Sequence, residues 1–135
     1  MIFKRKNISS LHLPHNKNTA ECTPVRINAP KEVLLPMDMH SGHVAEPIVA
    51  VGDYVKVGQL IAREEGRFSS PVHATVSGKV VAIEKILRPS GKEVQVIRIE
   101  NDGLMTVDSS VKAPTYTNPD EFLQAVRDSG CVGLG

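Results

Sequence analysis

Short apolar runs interrupted at glycine dominate the middle of the chain. Between Glu46 and Glu84 they fall into two halves: 48–51, 54–57 and 60–62, then 72–76 and 80–83. The pairs Gly52-Asp53, Gly58-Gln59 and Ser77-Gly78 separate them. Runs of about four to six residues, bounded by turns of this kind, predict the strands of a small β-sandwich or barrel. Val33-Leu34-Leu35 predicts a first strand within 31–39, and Pro36 sits near its end, where no ladder donor is needed. Residues 83–88 carry the last strand of the second half outward, Pro89-Ser90-Gly91 turns it, and 93–100 returns. In that return strand Val94 and Val96 share one phase while Ile97 and Ile99 share the other. A β-bulge or burial on both faces accounts for such a slip.

The flanks read differently. Residues 1–30 are polar, carry Pro14, Pro24 and Pro30, and sustain no period, so an extended, ordered arm is expected. Within it Leu11 and Leu13, and then Val25 and Ile27, alternate with polar residues as short strands would. Residues 104–117 form a connector with little pattern. Asn118-Pro119-Asp120-Glu121 then announces a helix over 119–129: Asn118 as cap, Pro119 at the first position, two acids at the positive end of the dipole. Phe122, Leu123, Val126 and Ala125 supply its apolar stripe, and Gly130 its stop.

A length of 135 residues suits one domain with a real core. Aromatics make up 4% and tryptophan is absent, so that core must come from Val, Ile, Leu and Ala. The net charge of +1, with acids and bases interspersed, argues against nucleic acid as a partner. No stretch approaches the roughly 20 apolar residues of a membrane span. No apolar run follows Lys4-Arg5-Lys6, so no secretory signal is expected, and the Asn7-Ile8-Ser9 sequon stays idle. Cys22 and Cys131 are then two reduced thiols of a cytoplasmic protein rather than a disulfide.

Candidate chemistry is sparse. His12 and His15, His40 and His43, and His73 could supply nitrogen ligands, but no carboxylate or thiolate joins them at a metal-binding spacing, so no metal is expected. Two distant cysteines cannot ligate an iron–sulfur cluster, which needs clustered thiolates. No serine lies in a nucleophile elbow, and Asp53 after Gly52 is a turn former. No catalytic residue is assigned.

The sequence 52–62, GDYVKVGQLIA, followed by 73–84, HATVSGKVVAIE, resembles the barrel-sandwich hybrid of biotinyl and lipoyl carriers. Those carriers modify a lysine at a hairpin tip, whereas the link 63–70 between the halves has none. The wider pattern resembles another family of that fold, the RnfC subunit of Rnf-type electron transport complexes. Residues 9–17 resemble its Gly-Gly-Ile-His-Pro-Pro opening, Met39-His40-Ser41-Gly42 its Gln-His-Ile-Gly, and Val132-Gly133-Leu134-Gly135 the start of its Gly-Leu-Gly-Gly-Ala-Gly-Phe-Pro loop. The resemblance implies an all-β barrel-sandwich hybrid over 31–102, an N-terminal arm over 1–30, and a segment 103–135 of connector, one C-terminal helix and loop start. His12, His40 and His73 would be hydrogen-bonded turn residues anchoring the arm and loops. In full length it implies NADH, FMN and [4Fe-4S] clusters passing electrons, with Gly133, Leu134 and Gly135 beginning a flavin- and nucleotide-binding loop. This stretch would be a non-catalytic docking module beside the flavin domain. Its partners would be other subunits of an electron-transfer complex, which would hold it at the inner face of the membrane without insertion. Cys131 is compatible with the proline reductase-associated branch of the family, and equally with a small residue after a helix cap. A carrier-like domain without its acceptor lysine, or an interaction module of another redox enzyme, are the alternative readings.

Overall fold

A computed structural model describes residues 16–66 and 68–133. Seven strands and one helix follow in order: β1 (Glu32–Pro36), β2 (Glu46–Pro47), β3 (Tyr54–Val55), β4 (Leu60–Arg63), β5 (Val72–His73), β6 (Gly78–Leu87), β7 (Glu93–Asn101) and α1 (Pro119–Asp128). They form a four-stranded sheet in the order β1-β7-β6-β3 and a three-stranded sheet in the order β2-β4-β5. All named pairings are antiparallel.

The two sheets close on a core of Leu35, Met37, Ala45, Val55, Ile61, Ala62, Val72, Ala74, Val76, Val80, Ile97 and Ile99. These are small and branched side chains, as the composition requires. The described aromatics, Tyr54, Phe68, Tyr116 and Phe122, are all exposed. β-branched residues suit the pleated, half-buried surface of short strands, and they fill a narrow sandwich without the volume of a ring.

The central halves are more turn than strand. Residues 48–51 are not a strand; the ladder stops at Pro47, and Ile48 N–H makes one last bond to Ile61 O at 2.9 Å. The chain then bends because the Asp53 carboxylate takes the Ala50 N–H at 2.8 Å, the turn-forming role expected of it. β5 likewise ends at His73, since Ala74 N–H turns to Gln59 O and Ala74 O receives Gly58 N–H. The expected strand at Val25 and Ile27 is absent: both side chains are almost wholly exposed, so no apolar burial holds an extended pairing there. The expected strand at Leu11 and Leu13, the sequon and the His12 and His15 pair lie outside the described residues.

The phase slip in β7 has two parts. Val96 and Ile97 are both wholly buried on opposite faces of the strand. The bulge is on the partner, where β6 shifts register between Val80 and Ala82 opposite Ile99 and Arg98. One residue of β6, Gly78, is fixed by crowding. It has φ 153°, and a Cβ there would stand 1.9 Å from Glu100 O, so only a glycine lets the two backbones meet.

Candidate docking surfaces

Three devices tie the loops to the barrel. The first is a knot at the end of β7. Asp102 accepts from Tyr54 Oη at 2.5 Å, from Ser77 Oγ at 2.7 Å and from Leu104 N–H at 2.8 Å. Those donors hold its carboxyl below the usual carboxylate range, the Tyr54 hydroxyl first and the Ser77 hydroxyl second. Ser77 is wholly buried, and its oxygen also accepts the Thr106 N–H at 2.9 Å. The start of the connector is thus laced to the turn before β6. Beyond it Val57 and Val107 form a parallel bridge, so the connector runs back along the barrel. The sequence carried no sign of this. An acid after a strand reads only as a turn, and its partners lie 25 and 48 residues away.

The second device joins two loops through His40. Its Nε2 lies 2.8 Å from His43 O, 3.2 Å from Ser69 Oγ and 3.1 Å from the Ser70 nitrogen. One nitrogen cannot donate to His43 and accept from Ser70 together, so the tautomer decides which of the two it holds. Ser69 Oγ donates to His43 O at 3.0 Å, and His43 N–H donates to Phe68 O at 2.7 Å. Gly42 is pressed so close that a Cβ would stand 2.1 Å from Phe68 O. His40 therefore anchors loops, as expected. What the paired loops display is the exposed ring of Phe68, beside a shallow hollow lined by Ser41, Gly42 and His43. His73 departs from expectation: it lies in β5, not in a turn.

The third device is the end of α1. Asn118 caps the helix by accepting Glu121 N–H at 2.9 Å, and Pro119 takes the first position. Glu121 reaches back to the Thr117 N–H and hydroxyl at 2.7 and 2.8 Å, one residue before the usual capping box. Those two donors hold the Glu121 carboxyl below its ordinary range. Gly130, with φ 70°, stops the helix and lies so near β5 that a Cβ would meet Pro71 O at 2.9 Å. Between helix and barrel lies a cleft of about 700 Å³, lined by His73, Val111, Lys112, Glu121, Gln124 and Asp128 among others.

None of this makes a redox centre. Cys22 and Cys131 are unpaired and exposed. Among the described residues no three His, Cys, Asp or Glu side chains come together as a metal site. The described thiols therefore do not fit an iron–sulfur cluster. Of the three residues expected to begin a cofactor loop, Gly133 is exposed with open space about it, and Leu134 and Gly135 lie outside the described residues. A single glycine with no converging donors does not fit a flavin or a nucleotide.

Residues 8–104 match the family described as the RnfC barrel sandwich hybrid domain. The chain belongs to that family. The RnfC-type sandwich is accordingly the observed pair of sheets, with α1 lying beyond the matched residues. Three curated relatives agree, each the C subunit of a membrane-linked redox complex by its description as ion-, proton- or Na(+)-translocating. The chain is 40% identical over 130 residues to that of the Na(+)-translocating ferredoxin:NAD(+) oxidoreductase complex of Acetobacterium woodii, covering 93% of this chain and 29% of that protein. It is 36% identical over 132 residues to that of the proton-translocating ferredoxin:NAD(+) oxidoreductase complex of Clostridium ljungdahlii, covering 93% and 28%. It is 36% identical over 125 residues to that of the ion-translocating oxidoreductase complex of Rhodobacter capsulatus, covering 90% and 24%. The chain thus spans under a third of the length of these relatives and corresponds to the N-terminal module of an RnfC-like subunit. Within that module, the His40 clamp is what the Met39-His40-Ser41-Gly42 motif builds. No helix among the described residues is long and apolar enough to cross a membrane.

Proposed function

We propose that this chain is the non-catalytic docking module of an RnfC-like electron-transfer subunit. The observation that carries the reading is where the aromatic side chains lie. The sandwich is filled by aliphatic residues, while Tyr54, Phe68, Tyr116 and Phe122 all face outward on loops and a helix fastened to it. Exposed aromatics on a rigid frame are the usual anchors of protein interfaces. Kinship to members of multi-subunit complexes supplies the partners: other subunits of an electron-transfer assembly, named in the relatives as ferredoxin:NAD(+) oxidoreductases. In the whole protein NADH, FMN and [4Fe-4S] clusters belong to regions outside this module. Residues 1–30 then form an arm, 31–102 the sandwich, and 103–135 a connector, helix and the first residues of a Gly-rich loop at Gly133, Leu134 and Gly135. The protein works at the cytoplasmic face of the membrane, held there by partner subunits.

Deleting 1–104 from the full-length protein tests this. The expected result is retained reduction of bound flavin by NADH together with lost co-purification of partner subunits. Unimpaired assembly would remove the docking role. Lost flavin reduction in a folded, flavin-loaded variant would show that the module takes part in the chemistry.

A further inference from the structure

Helix α1 is turned inside out with respect to its own barrel. At 3.6 residues per turn, Glu121, Gln124, Ala125 and Asp128 share one side, and all four line the cleft toward the sandwich. Phe122, Leu123 and Val126 share the other side, with mean direction about 150° away. Those three are 45, 62 and 41% exposed, and no residue of α1 is buried. An amphipathic helix that belonged to this core would face it with its apolar stripe. Here the polar side faces the core and the apolar side faces out. The stripe is extended by Tyr116, whose ring meets that of Phe122 edge to face at 5.0 Å, and Tyr116 is itself half exposed. Both helix ends are nonetheless well made, by the Asn118 cap and by Gly130 against Pro71 O, so the presentation is fixed rather than frayed.

We infer that the Phe122, Leu123, Val126 and Tyr116 face is the seat of the remainder of the same subunit, which packs on it through an apolar surface of its own. The inference rests on the docking reading above and names the partner of one of its surfaces. The length of the relatives supports it, because the greater part of each lies outside the matched module. Charge supports it as well. The helix carries Asp120, Glu121 and Asp128 against Arg127 alone, a balance that repels an anionic lipid surface. A patch of aromatic and branched residues beside the sandwich is suited to a permanent contact, which is more apolar than a transient one.

Hydroxyl-radical footprinting of the full-length protein tests it, since Phe, Leu, Val and Tyr side chains all report. Val25, almost wholly exposed, and Ile61, wholly buried, are internal standards. Phe122 and Leu123 are expected to react at rates near that of Ile61, several-fold below Val25, and independently of protein concentration. In the variant Leu123→Asp, reaction at Phe122 and Tyr116 should rise toward that of Val25 while Ile61 stays protected. Rates near Val25 in the unaltered protein would overturn the inference. So would protection that appears only as concentration rises, which would make a second copy the occupant. Loss of complex assembly on deleting 1–104 is a separate result that leaves this one standing, so the two readings fail independently.

Discussion

Replacing Gly78 with alanine should damage the sandwich more than any other single methyl addition. Gly78 opens β6, pairs with Asn101 of β7 and with Val55 of β3, and so sits where three strands meet. A Cβ would be placed 1.9 Å from Glu100 O and 2.9 Å from its carbonyl carbon, both backbone atoms that no rotamer change can move. Relief requires prising β6 from β7 at its first pairs. Overpacking of this kind costs about 1–3 kcal/mol. A side chain held at φ 153° adds about 1–3 kcal/mol of backbone strain. The sum, about 2–6 kcal/mol, is a large part of the roughly 5–15 kcal/mol that holds a domain of this size folded. Urea unfolding followed by circular dichroism measures it, as a fall in midpoint at unchanged slope. Gly52→Ala is the control, because its φ of 103° imposes strain while open space surrounds the added methyl. Destabilisation by Gly78→Ala no greater than by Gly52→Ala would refute the close approach of the two strands.

Three further outcomes follow from the same geometry. Ile61→Ala, at a wholly buried core position, should cost about 2–5 kcal/mol, read by the same unfolding assay. Asp102 has a carboxyl pKa lowered from 3.8 in the folded state, so its stabilisation is present above the unfolded value and is lost as pH falls through the folded one; Asp102→Asn should weaken the protein at pH 7 and flatten the acid limb of its stability curve, and an unchanged limb would mean the Tyr54 and Ser77 bonds contribute nothing. Lys79 is exposed on β6 opposite Tyr54 and Glu100, in regular strand pairing rather than at a hairpin tip, so co-expression with a biotin or lipoate ligase should leave the intact mass unchanged; a mass increase localised there would restore the carrier reading.

The parts legible in sequence were those set by local chemistry. Asn118, Pro119 and Gly130 bounded α1 to within a residue because caps act over one turn. Gly52-Asp53 and Gly58-Gln59 marked turns because φ of 103° and 80° favours glycine. Strand lengths were less legible. β3 and β5 are two residues each, since Val57 pairs with Val107 and Ala74 with Gln59, across distances that no local pattern encodes. The Asp102 knot was illegible for the same reason. The stripe on α1 was visible as a pattern, but its direction was not: periodicity says that a helix has an apolar side without saying which way it faces.

The division of labour within the subunit is tested most directly by titrating FMN and NADH into these 135 residues and, in parallel, into the full-length protein, by calorimetry or fluorescence. Both ligands should bind the full-length protein, and neither should bind the isolated module. Saturable binding of either ligand to the module would place a cofactor site on the sandwich or its cleft and contradict the docking role.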